Sequence, residues 1–281
     1  MSRHRRPFGP ALLALASLLV VFAAACQGAP AAPALTDPKE ILTKSVASLK
    51  DVKTFHVDAE LSGKVNADIA GTGGSGSGSQ FDLAGTKGTL DVDTANKKVH
   101  ATASIPALLN TALEAIVLPD SLYYKVTGPL GSGDTYTKVP VESAAASQVP
   151  TDPQQAISEL QSALDKLPSP PTKQADAKCG NVDCYDVQIK LTEADLASLS
   201  PSAAPSGFTN GAITVDVFSQ KSDLRPVKVV ATMSSTEMGT ATLTLGLTYD
   251  VSLNIQAPPA DQVTEASGLP IPSIELPSLN P

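Results

Sequence analysis

Over most of its length the chain alternates apolar and polar positions with a period of two. Phe55, Val57, Ala59 and Leu61 are interleaved with His56, Asp58 and Glu60, the pattern of a strand with one apolar and one wetted face. Val99, Ala101, Ala103 and Ile105 repeat it after an Asn96-centred turn, and are expected to pair with Thr89 to Asp93 as a hairpin. Further strands are expected at Leu122 to Val126, Tyr136 to Val139, Tyr185 to Leu191, Ile213 to Phe218, Val227 to Met233 and Thr240 to Ile255. In the last, Leu243, Leu245, Leu247, Tyr249, Val251, Leu253 and Ile255 fall at every second position. Long amphipathic antiparallel strands need a cover for their apolar face.

Helices supply candidates for that cover. Asp37-Pro38-Lys39-Glu40 combines an N-cap, a proline at the first helical position and a glutamate three residues after the cap; Ile41, Leu42, Val46 and Leu49 then share a face. Asp152-Pro153-Gln154-Gln155 opens a second helix in the same way, followed by Ile157, Leu160, Leu164 and Leu167. A short third helix is expected at Glu193 to Leu199, with Thr192 as cap and Asp195 completing the box. The two Thr-Asp-Pro openings hint at a duplicated architecture, although capping boxes are too common to establish one. The fold class that follows is α+β: a strongly curved, incompletely closed antiparallel sheet with two or three helices on its concave side.

The N-terminus departs from this pattern. Arg3, Arg5 and Arg6 precede an uncharged, mostly apolar run from Ala11 to Ala25, shorter than the ~20 residues that span a bilayer. It ends in Ala23-Ala24-Ala25-Cys26, small residues directly before a cysteine, which reads as a secretory signal cut at a lipobox. Cys26 is then the expected site of a diacylglyceryl thioether, with Ala23 standing where leucine is commonest. An ordinary signal peptide with an incidental cysteine is the alternative. The division expected is a signal over 1–25, a lipidated tether over 26–35, one domain over 36–256 with a Gly/Ser loop at 71–79, and a Pro-rich tail over 257–281.

Composition sharpens the picture. The chain has three cysteines; with Cys26 acylated, Cys179 and Cys184 remain as a pair around a Gly180-Asn181 turn, expected to form a disulfide in an oxidising compartment. Two cysteines without a nearby histidine make a poor zinc site, and no metal or other cofactor is expected. Removing the three signal arginines leaves 17 basic against 28 acidic residues. So acidic a body argues against nucleic-acid binding and against electrostatic adhesion to anionic lipid, which leaves the anchoring to the acyl chains.

The lipobox, the capped first helix, the entry Ser48-Leu49-Lys50-Asp51-Val52-Lys53-Thr54-Phe55-His56-Val57 and the later hairpins resemble the LppX/LprA/LprF/LprG lipoproteins, best known from mycobacteria and related in fold to the LolA/LolB carriers. The resemblance covers most of Leu35 to Ala257 and rests on order and pattern. It implies a half-barrel whose cavity, between sheet and helices, holds acyl chains of a lipid or lipoglycan. The Gly/Ser run and the cysteine pair have no counterpart in that pattern.

No catalytic set stands out. His56 and His100 lie on alternating strands, where a solvent-facing role is commoner than a ligand role, and Asp91 and Asp93 share a face that could hold a cation but more often is only solvated. No nucleophile elbow or phosphate-cradling loop is present. The expected function is that of a non-enzymatic, membrane-anchored envelope lipoprotein, monomeric, carrying or transferring lipid. The candidate pocket residues are Val57, Leu61, Ala101, Ile105, Leu245, Leu247 and Val251. Two alternatives remain: these residues close into a filled core, or the domain is a surface or scaffold lipoprotein that engages an envelope protein partner.

Overall fold

The structure is a computed structural model that describes residues 34–66, 80–129, 131, 133–141, 153–199 and 210–266. Cys26, Asp152 and the Gly/Ser run at 71–79 lie outside the described residues. Nearly all of the described chain falls in the compact unit that begins at Thr36.

The elements in chain order are α1 (Pro38–Ala47), β1 (Thr54–Asn66), β2 (Gln80–Asp82), β3 (Thr86–Asp93), β4 (Lys98–Ile105), β5 (Thr111–Val117), β6 (Ser121–Thr127), β7 (Tyr136–Pro140), α2 (Pro153–Asp165), β8 (Thr172–Lys173), β9 (Ala177–Cys179), β10 (Val182–Thr192), α3 (Glu193–Leu199), β11 (Ala212–Gln220), β12 (Pro226–Ser235), β13 (Gly239–Tyr249) and β14 (Val263–Glu265). Local chemistry sets the helix starts as the sequence implies. Asp37 Oδ1 accepts the Glu40 amide at 3.0 Å, and Asp195 Oδ2 accepts both the amide and the hydroxyl of Thr192 at 2.8 Å.

The strands join one open sheet in the order β14-β7-β6-β5-β4-β3-β1-β13-β12-β11-β10-β8, with β2 on β1 and β9 on β10. Two meanders, β3 to β7 and β10 to β13, meet on β1, whose Phe55 to Val65 pair with Tyr249 to Gly239 of β13. Every pairing is antiparallel except β14 with β7. The class is the expected one, α+β with an unclosed, curved antiparallel sheet.

Directly opposed residues share a face, so the register sorts side chains across the whole sheet. One face carries Val187, Val217, Val229, Leu245, Ala59, Gly88, Ala103, Leu113 and Val126 in a single transverse row. The other carries Asp58, Thr89, Thr102, Glu114 and Lys125.

The helices lie over the apolar face at its β10–β11 end. α1 buries Ile41, Leu42 and Ser45, and Ser45 Oγ meets Ser219 Oγ at 2.7 Å. Ser219 stands opposite Tyr185, two residues before Val187. α2 packs on α1, with Ile157 buried and Lys39 paired to Asp165 at 3.0 Å. Leu196 of α3 packs with Met238, Leu191, Ile213 and Met233. At the far end of the same face, Val117, Leu122 and Val139 form a core with Val99, Ala115 and Tyr124.

The expected strand from Thr240 to Ile255 is shorter than its pattern. β13 stops at Tyr249 because Asp250 turns the chain at φ +56°. The Asp250 amide donates to Thr54 O at 2.8 Å, and its carboxylate takes Arg225 Nη1 at 2.6 Å. Beyond it the chain runs as a strap over the polar face. Ile255 is buried with Ile116, Tyr123 and Tyr136, Leu253 and Val263 flank it, and Lys98 Nζ donates to Ile255 O at 3.1 Å. β14 then extends the sheet beyond β7, so residues past 257 remain packed as far as Glu265.

Candidate functional site

In the middle of the apolar face Val57 is buried, and Leu90, Ala101, Leu243, Leu245 and Leu247 are part-buried. Along β3 and β13 most positions of both faces are part-buried. Val57 stands opposite Leu90 and Leu247, Leu61 opposite Leu243, Ala101 between Leu90 and Ala115, and Leu245 between Ala59 and Val229. Five of the seven expected pocket residues therefore form one contiguous patch. Ile105 sits at its border, opposite Thr111 at the end of β4. Val251 is not part of it, because the Asp250 turn takes it out of β13 into the strap.

Alanine and glycine keep this patch shallow: Ala59, Gly88, Ala101 and Ala103 fall between the larger Val57, Leu61 and Leu90. Two hydroxyls on the same face, Tyr124 Oη and Thr86 Oγ1, are buried without a hydrogen-bond partner among the described residues. Tyr124 opposes Ala115 and Thr86 opposes Leu61. An unpartnered buried hydroxyl is uncommon enough to require an explanation.

The polar face holds a second arrangement that the sequence did not disclose. His56 Nδ1 lies 2.7 Å from Asp91 Oδ1, and His100 Nδ1 lies 3.7 Å from the other oxygen of Asp91. His100 Nε2 meets Glu114 at 3.0 Å; Glu114 meets Lys125 Nζ at 3.0 Å; Lys125 donates to the Tyr136 hydroxyl at 3.1 Å. The result is a continuous chain of charged and polar groups across six adjacent strands. The hydrogen bond with Asp91 raises the His56 pKa above its ordinary value, against the opposing effect of burial. Burial pushes the Glu114 carboxyl up, but hydrogen bonds from His100, Lys125 and Tyr136 outweigh it and its pKa is lowered. Lys125 is raised by Tyr136 and Glu114. Above this floor lies an open groove of about 680 Å³, bordered by Asp58, Glu60, Lys87, Ser104, Ala112 and Thr127 among others.

Expected residues with simpler roles fall into place. Asp93 caps the β3–β4 turn through the Asn96 amide, at 2.9 Å, and Asp91 is tied to the two histidines. No group of three or more potential metal ligands occurs among the described residues. Cys179 and Cys184 are bonded across the β9–β10 turn, with Cα atoms 6.1 Å apart, and Gly180 adopts φ +63°. No described helix is long and apolar enough to cross a membrane.

The chain is similar to mycobacterial lipoproteins. The lipoprotein LppX of Mycobacterium tuberculosis is 13% identical with a TM-score of 0.44, over 78% of this chain and 98% of that one. LprF from Mycobacterium bovis is 15% identical with a TM-score of 0.48, over 79% of this chain and 96% of that one. No protein-family model matches the chain, and no curated protein does.

Proposed function

We propose that the protein is a lipid-binding lipoprotein of the cell envelope, tethered through an acylated Cys26, that holds acyl chains against the central apolar face and carries or transfers a lipid or lipoglycan. The reading is carried by one observation, the contiguous apolar patch of part-buried Leu90, Ala101, Leu245 and Leu247, kept shallow by alanine and glycine. Shielding a methylene from water is worth ~0.8 kcal/mol, so about ten methylenes laid on this patch would contribute ~8 kcal/mol before the cost of ordering the chain. The acidic body leaves membrane attachment to the N-terminal diacylglyceryl group.

Native mass spectrometry of residues 36–281 tests the reading. Co-purifying lipid, or uptake of added palmitate, that is lost in Ala101→Phe is the expected result. A protein that is lipid-free and takes up no palmitate would remove the proposal.

A further inference from the structure

Among the described residues, the large exposed apolar side chains are concentrated in one place. Of the four large hydrophobic residues exposed among the described residues, Leu108, Leu109 and Leu113 belong to the β4–β5 connection and its flank, and Leu160 of α2 stands apart. Leu109 is 62% exposed. It follows a single 3-10 turn, Pro106–Leu108, and is held in the left-handed region at φ 56°, ψ 38°; Asn110 follows at φ +57°. A leucine is strained there where glycine or asparagine would not be. The amides of Leu109 and Asn110 both donate to Pro106 O, and the Thr111 hydroxyl donates to Leu108 O. The turn is thus fixed from within while its leucines face outward.

The segment Ile105 to Leu113 contains no charged residue, in a chain that is 17% charged. We propose that this tip is a membrane-contact finger, whose Leu108 and Leu109 insert shallowly into the apolar boundary of a lipid bilayer. Size favours a bilayer over a protein partner. A stable protein interface buries about 800 Å² per partner, far more than two leucines on a convex turn can supply, whereas a bilayer accepts isolated apolar side chains with no complementary pocket. Charge indicates the lipid: without a lysine or arginine in the segment, and with a net charge of -8 over the chain, the finger suits a zwitterionic surface and not an anionic one. The tip flanks the end of the polar-face groove formed by Ser104 and Ala112, opposite the end that the Ile255 strap occupies. The inference does not depend on acyl cargo, and it stands or falls separately from co-purification of lipid.

The chain contains no tryptophan, so Leu109→Trp in residues 36–281, a compact unit in its own right, places a single tryptophan at the tip, excited selectively over the five tyrosines. With phosphatidylcholine vesicles its emission is expected to move to the blue, and the shift is expected to persist at high salt. Leu160→Trp, at the outlying exposed leucine, is expected not to shift. Leu109→Asn suits the left-handed backbone and should keep the melting temperature while lowering vesicle partitioning about tenfold in flotation. Absence of a shift at position 109, an equal shift at 160, or binding that requires anionic lipid and fails at high salt would overturn the proposal. A dimer in sedimentation that Leu109→Asn dissolves would also overturn it, in favour of self-association.

Discussion

The charged chain across the polar face makes a quantitative prediction at its Glu114–Lys125 link. The two side chains are 26% and 22% exposed and lie 3.0 Å apart, between the regimes of surface and buried ion pairs. Exposed pairs contribute ~0.2–1 kcal/mol, and breaking a fully buried one costs ~3–5 kcal/mol. Partial solvation places this pair nearer the lower range, at about 1–2 kcal/mol of coupling. A double-mutant cycle of Glu114→Gln and Lys125→Met, followed by urea unfolding at pH 7, measures it directly. The Glu114 pKa is lowered on folding, so the coupling is present in full above pH 4.5, the carboxyl's ordinary value, and disappears as the pH falls through the lower value of the folded state. A coupling below about 0.3 kcal/mol at pH 7, or one unchanged on acidification, would refute the reasoning.

Other outcomes follow from individual contacts. By NMR, His56 should titrate above 6.5, and Asp91→Asn should bring it down by removing the hydrogen bond that raises it. Because the folded value is raised, stability from this pair is full below pH 6.5 and is lost as the pH rises through the folded pKa. Gly63→Ala should destabilise by at least about 2 kcal/mol in chemical unfolding, since φ is +118° and the new methyl would run into Thr240 O of β13. Reducing the Cys179–Cys184 bond, which closes a short loop and fully buries Cys184, should cost about 2 kcal/mol in the same measurement. Tyr124→Phe should leave the melting temperature unchanged or raise it slightly in thermal unfolding, because the lost buried hydroxyl has no partner within the described residues.

What the sequence discloses is what depends on near neighbours. The Asp37 and Thr192 caps, the alternation of β1 and β4 and the Cys179–Cys184 turn are set within a few residues, and each appears as its residues imply. Alternation also placed Val57, Leu61, Ala101, Leu245 and Leu247 on apolar faces. It was misleading at Val251, where the period of two runs on through Ile255 although Asp250 has already turned the chain. An aspartate in the left-handed region, held by Arg225 and Thr54, is a long-range arrangement that periodicity does not encode. The His56–Asp91–His100 contact was hidden for a related reason. Each residue sits at a polar strand position in the sequence, and only the β1–β3–β4 register makes them neighbours. The choice of β1 as partner for β13, nearly two hundred residues away in the chain, likewise decides which apolar positions become contiguous.

The two faces suggest a division of labour. The polar face is tied down by ion pairs and by the strap, while the central apolar face presents a contiguous, part-buried apolar patch. The most direct test of acyl-chain binding is to load residues 36–281 with a diazirine-bearing fatty acid, irradiate, and locate the cross-links by peptide mass spectrometry. The account predicts cross-links concentrated in Leu243 to Leu247 of β13 and in Leu90 and Ala101 of β3 and β4, competed away by palmitate. Cross-links confined to the polar groove around Asp58, Lys87 and Thr127, or scattered without competition, would contradict it.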